Sequence, residues 1–164
     1  MGMIKMLTRT LLPFVGGNII GKITAKEAPK DYGKFEKPPY SPPRYAFPIV
    51  WPILYLCMGV AYNLVKGNGT NTKAATVTHY TQLSLNFLWS LLYFKKKVRG
   101  IALIESFILL IAVTTNVVVF FKNKPISGIL LFPYVLWSSY ASYLNTGNWL
   151  LNKDNPEYSN GLCK

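Results

Sequence analysis

Acidic residues are scarce in this chain: 6 Asp and Glu stand against 18 Lys and Arg, for a formal net charge of +12 over 164 residues. With so few carboxylates, no pair is placed to share general acid and base roles. One histidine, His79, and two cysteines, Cys57 and Cys163, are too few for a disulfide framework or a Cys/His zinc site. No nucleophile elbow, phosphate-cradling glycine loop or His-Glu-x-x-His stretch occurs. A catalytic reading would need chemistry carried by a bound ligand.

Charge is also missing from long blocks. Residues 45–65, 74–94 and 126–152 contain no Asp, Glu, Lys or Arg, and 101–121 holds only Glu105. A helix rising about 1.5 Å per residue needs roughly 20 residues to cross about 30 Å of hydrocarbon, so each block predicts a membrane span. A fifth candidate, 7–23, requires Arg9 and Lys22 to extend toward the two interfaces. Lys5 and Arg9 ahead of an apolar run also fit a secretory signal, while the Gly17/Gly21 spacing fits close helix packing in lipid. The expected architecture is a single all-α domain over 1–164, an integral membrane five-transmembrane-helix bundle. Its spans are expected near 7–23, 45–65, 74–94, 101–121 and 126–149, with a long loop at 24–44. Pro38-Pro39 and Pro42-Pro43 stiffen that loop, and its length makes it a candidate cap over a site.

Five spans put the termini on opposite sides, and the cations then choose an orientation. One face carries Lys22, Lys26, Lys30, Lys34, Lys37, Arg44, Lys95, Lys96, Lys97, Arg99, Lys153 and Lys164; the other carries Lys5, Arg9, Lys66, Lys73, Lys122 and Lys124. The richer face is expected in the cytosol. The positive charge then reflects topology and attraction to anionic membrane lipid, with no need for nucleic acid. Asn68-Gly69-Thr70 fits a glycosylation sequon on the opposite side.

Within the spans, Trp51, Tyr55, Met58 and Tyr62 recur along one helical face. That stripe fits either packing against neighbouring spans or the wall of a pocket for a flat apolar ligand. Gln82 and Asn86, with Trp89 and Tyr93 continuing their side, must face the bundle interior and bond another helix or a ligand. Asn116 and Asn145 have the same status. Glu105, near a helix end, is expected to reach water or Arg99, and His79 reads as an interfacial imidazole rather than a haem ligand.

The run Lys37-Pro38-Pro39-Tyr40-Ser41-Pro42-Pro43-Arg44-Tyr45-Ala46-Phe47-Pro48-Ile49-Val50-Trp51, followed by Leu54-Tyr55 and Met58-Gly59, resembles the signature of the TspO/MBR family. These are tryptophan-rich sensory proteins and translocator proteins, the peripheral-type benzodiazepine receptors. Gln82 to Ser90 in the third span, and Pro133 to Trp137 with Ala141 to Asn145 in the fifth, agree in order and spacing. The resemblance implies a five-helix bundle, usually a homodimer, with a pocket beneath the long loop for porphyrins (tetrapyrroles), sterols and synthetic isoquinoline or benzodiazepine ligands. Trp51 and Trp137 would be its aromatic walls, Asn86 its polar anchor, and Ala141 and Leu144 contacts on the fifth helix, with Tyr55 on the adjoining face. No cofactor and no metal is expected beyond a porphyrin or haem as ligand. The expected roles are a receptor or transporter, with light- or oxygen-dependent porphyrin breakdown, or a scaffold recruiting cytosolic partners through Lys95, Lys96, Lys97 and Arg99, as alternatives. The family implies the mitochondrial outer membrane in a eukaryote and the inner membrane in a bacterium. Tyr40 and Tyr45 replace tryptophans common in the family, and Lys153 lies too far from Tyr143 for the sterol pattern of the mammalian members.

Overall fold

The computed structural model describes residues 2–24, 33–67 and 72–159. The sequon at Asn68, Cys163, and loop positions 25–32 lie outside the described residues. Five long helices form: α1 (Met3–Thr24), α2 (Ala46–Gly67), α3 (Lys73–Ser90), α4 (Arg99–Asn123) and α5 (Pro125–Asn152). One turn, α6 (Pro156–Ser159), follows. Among the described residues there is no strand. The third block does not stay α-helical to residue 94: α3 ends at Ser90 and Leu91–Lys95 widen into a π-helical turn. Lys97, at φ 57°, then reverses the chain into α4.

The helices alternate in direction. Asn63 near the end of α2 donates to the Met6 carbonyl on α1 (2.9 Å), and Tyr62 bonds Thr76 on α3 (3.0 Å), so these ends share one side. On the other side Phe35, Arg99 and Tyr158 meet, joining the long loop, the start of α4 and the C-terminal turn. Contacts run α1 to α2, α2 to α5, α5 to α4, α4 to α3 and α3 back to α1, which closes a ring of helices.

Polar groups share the interior with a hydrophobic core: His79, Gln82, Asn86, Asn116, Ser138, Ser142 and Asn145 are buried beside Met58, Val65, Leu131 and Tyr134, while Ile4, Ile104, Ile111, Ile129 and Leu150 stand more than half exposed on the outside. Apolar side chains on every helix face outward; an envelope that large exceeds the patches soluble monomers carry. Of the five long helices, α2 and α4 are apolar enough along their length to qualify as membrane spans by composition. In α3 and α5 the buried amides and hydroxyls together with the outward Thr81, Ser84 and Ser139, and in α1 Lys5, Arg9 and Lys22, lower the average.

Where α1 crosses α2, a side chain on Gly59 would collide with the backbone of Thr10, so the contact requires glycine. The expected Gly17/Gly21 contact differs: Gly17 makes room for the Tyr55 ring rather than for a backbone, and Gly21 faces open space. His79 does not face solvent or lipid. It is 1% exposed and stacked on Tyr62, ring centroids 4.3 Å apart, because its position on α3 turns it toward α2 and Phe120 of α4. Glu105 does not reach Arg99; it is buried on the inner face of α4, and neither carboxylate oxygen has a hydrogen-bond partner among the described residues.

Candidate functional site

A cavity of about 510 Å³ lies between α1, α2, α5 and the end of α3, beneath the 35–44 segment of the long loop. That volume is typical of a small-molecule site. On α2, Phe47, Trp51 and Tyr55 line it, with the Trp51 and Tyr55 rings stacked at 5.6 Å because residues four apart share a helical face. On α5, Ala141 and Leu144 oppose them, and the small Ala141 side chain leaves space there. Gly17 and Ile20 of α1, Trp89 of α3 and Tyr93 of the π-helical turn after it complete the wall. Lys22 and Arg44 sit at its edge.

Of the residues expected from sequence, Trp51, Tyr55, Ala141 and Leu144 come together on this cavity, and Asn86 and Trp137 do not line it. Asn86 is fully buried behind the wall. It accepts a hydrogen bond from the Tyr55 hydroxyl (2.6 Å) and donates one to the Tyr134 hydroxyl (3.2 Å), which fixes Tyr55 from behind. Trp137 meets Trp51 edge-on at 6.3 Å and Phe47 at 5.9 Å, so it supports the aromatic wall from outside. Asn86 and Trp137 therefore act on the cavity through the residues they hold. Asn148, which also lines the cavity, and the bonds that hold the 35–44 segment over it as a strap are legible only in three dimensions.

The strap is tied down by specific bonds. Asn152 on α5 accepts from the Glu36 backbone N–H (3.0 Å) and donates to the Glu36 carbonyl (2.9 Å), imitating one step of a β-ladder. Tyr143 donates to the Pro39 carbonyl (2.8 Å), an acceptor usable because proline loses only its N–H. Tyr140 donates to the carbonyl of Tyr40, which bends the chain at φ 61°. Pro38 packs where any side chain on Gly147 would clash.

Arg99 does not belong to an exposed basic cluster. It is 2% exposed, its guanidinium 4.8 Å from the Phe35 ring and 4.4 Å from the Tyr158 ring, and it donates to the Tyr158 carbonyl at 3.0 Å. Flat, weakly hydrated guanidinium suits this aromatic box better than an ammonium. Beside it Lys34 pairs with Glu157 at 2.6 Å, and this ammonium holds the Glu157 carboxyl below the usual carboxylate range.

The TspO/MBR family model matches residues 9–150. The chain is 33% identical over 153 residues to a tryptophan-rich protein TspO of Archaeoglobus fulgidus, covering 93% of this chain and 99% of that one. It is 32% identical over 148 residues to a translocator protein of Bos taurus, covering 88% of each. It is 32% identical over 129 residues to a tryptophan-rich sensory protein of Cereibacter sphaeroides, covering 77% and 79%. With the helical ring and its aromatic-walled cavity, these matches establish that the chain belongs to the membrane-associated TspO/MBR family.

Proposed function

We propose that this protein is a five-span membrane receptor or carrier that holds a flat apolar molecule of the tetrapyrrole class between its helices. The observation that carries the reading is the aromatic cavity of about 510 Å³ roofed by a strap latched at Asn152. Its lining of indole, phenol, aliphatic and amide groups suits holding a ring system rather than attacking one. The outward apolar envelope and inward amides support lipid as the solvent for all five long helices. Translocator proteins among the relatives favour a carrier role, and sterol-sized ligands fit the same volume. A homodimer in the mitochondrial outer membrane, or in the inner membrane of a bacterium, is the setting this reading assigns.

Protoporphyrin affinity, measured by tryptophan quenching in detergent, tests the site. Trp51→Ala removes a wall and Ala141→Phe fills the space; each should weaken binding about tenfold, the effect of about 1.4 kcal/mol. Wild-type affinity in both variants would eliminate this cavity. A second reading, light- or oxygen-dependent breakdown of bound porphyrin, draws support from the contact between the Trp51 and Trp137 indoles. Bleaching no faster than a protein-free control would remove it.

A further inference from the structure

One end of the cavity is polar in a way the bundle's own packing does not use. Asn145, 4% exposed, lines the cavity, and its Nδ2 has no hydrogen-bond partner among the described residues. Trp89, also lining it, leaves Nε1 likewise unpartnered. Asn148, one turn beyond Asn145, spends one end of its amide on the Tyr93 hydroxyl (3.2 Å) and leaves the other end orphaned, whichever way the amide is turned. Trp89 stacks on Tyr93 at 5.4 Å, which keeps these groups contiguous. Elsewhere Asn86 is engaged at both ends by two tyrosines and Asn152 by the strap, while Asn116 and Gln82, away from the cavity, each leave one buried amide atom unpartnered. Buried donors with nothing to donate to are costly, and in hydrocarbon water does not relieve them. Two such donors and the orphaned Asn148 Oδ1, all on residues of one cavity and just beneath its accessible surface, can be satisfied together by a guest's polar group after a small side-chain rotation.

We propose that this end of the cavity is a polar subsite for an oxygen-bearing substituent of the ligand, a carboxylate or carbonyl, with the Trp89 and Asn145 N–H groups donating to its oxygen and the free end of Asn148 orienting it. The proposal rests on the cavity being the ligand site and adds the class of substituent it selects. The cations lining it, Lys22, Lys37 and Arg44, are exposed and would attract any carboxylate, so charge and hydrogen bonding must be separated.

Three probes separate them: protoporphyrin IX, its dimethyl ester, which keeps the carbonyls and loses the charge, and etioporphyrin, which carries alkyl groups alone. The wild type should bind both the diacid and the ester about tenfold more tightly than etioporphyrin. Trp89→Phe, which keeps a ring, and Asn145→Leu should each lower diacid and ester affinity toward the etioporphyrin level while etioporphyrin affinity stays unchanged, a control that also reports an intact cavity. Equal binding of all three probes overturns the subsite and leaves the cavity reading standing. An advantage confined to the diacid, and lost when Lys22, Lys37 and Arg44 are all changed to Gln, overturns it in favour of the charged edge. Binding of none of the three overturns both.

Discussion

Asn86 offers the sharpest test of how the aromatic wall is built. Its side chain has no exposure, and its two bonds join Tyr55 on α2 to Tyr134 on α5 through α3. Removing it with Asn86→Ala forfeits two hydrogen bonds, each worth about 0.5–1.5 kcal/mol net, and strands two buried phenol hydroxyls at about 1–3 kcal/mol each before relaxation. Because the tyrosines can relax toward each other, a loss of about 3 kcal/mol is expected. Tyr55→Phe breaks only the 2.6 Å bond and leaves one amide oxygen unsatisfied, for about 1.5 kcal/mol. In the double variant the Tyr55 hydroxyl and the Asn86 oxygen are absent together, so its cost should fall short of the sum by about 1 kcal/mol. Equilibrium unfolding in mixed micelles, followed by tryptophan fluorescence, measures all three. Losses that add to within about 0.3 kcal/mol would show that the pair does not cooperate and that Tyr55 is held by packing alone. Porphyrin affinity should fall in Asn86→Ala and in Tyr55→Phe alike, because both free the same ring.

Three further outcomes follow from the latches and crossings. Asn152→Ala removes both bonds to Glu36 and should shift strap opening by about 1–2 kcal/mol, read as faster ligand entry and release with a smaller change in equilibrium affinity. Gly59→Ala drives a methyl into the Thr10 backbone and should cost about 1–3 kcal/mol of unfolding free energy, or separate α1 from α2 in a cross-linking assay. Since Lys34 depresses the Glu157 carboxyl, their attraction is present at neutral pH and fades as acidification protonates the carboxyl through its lowered folded value. Protease sensitivity of the strap should therefore rise on acidification below the ordinary carboxylate range, and Glu157→Gln should flatten that dependence. High salt should mimic the acid effect at this exposed pair.

The helices were readable from sequence because lipid demands long stretches without charge, and that demand is local to each stretch. Trp51 and Tyr55 are readable as one face for the same reason, since periodicity lies within one helix, whereas Ala141 and Leu144 follow from the resemblance to the family. What periodicity lacks is the partner across the gap. The Asn86 amide by itself fits bonding to another helix or to a ligand, the resemblance makes it an anchor, and only the helix ring reveals that Tyr55 and Tyr134 take it. Arg99 looked like one more cation in a basic loop, since Phe35 and Tyr158, which enclose it, lie far away in the chain. His79 was placed by its distance from the end of an apolar block, yet its depth is set by the rings of Tyr62 and Phe120. The early end of α3 is likewise tertiary, for a π-helical turn has no compositional mark in Leu91–Lys95.

The roof of the cavity and the tail of the chain stand on shared footings: Phe35 leans on Tyr158, both flank Arg99, and Glu36 hangs from Asn152. A pull on the tail therefore arrives at the doorway without passing through the barrel of helices. Severing the chain between Asn152 and Pro156 should loosen the entrance while the aromatic wall stays in place, so a guest would exchange more freely in a receptacle of unchanged shape.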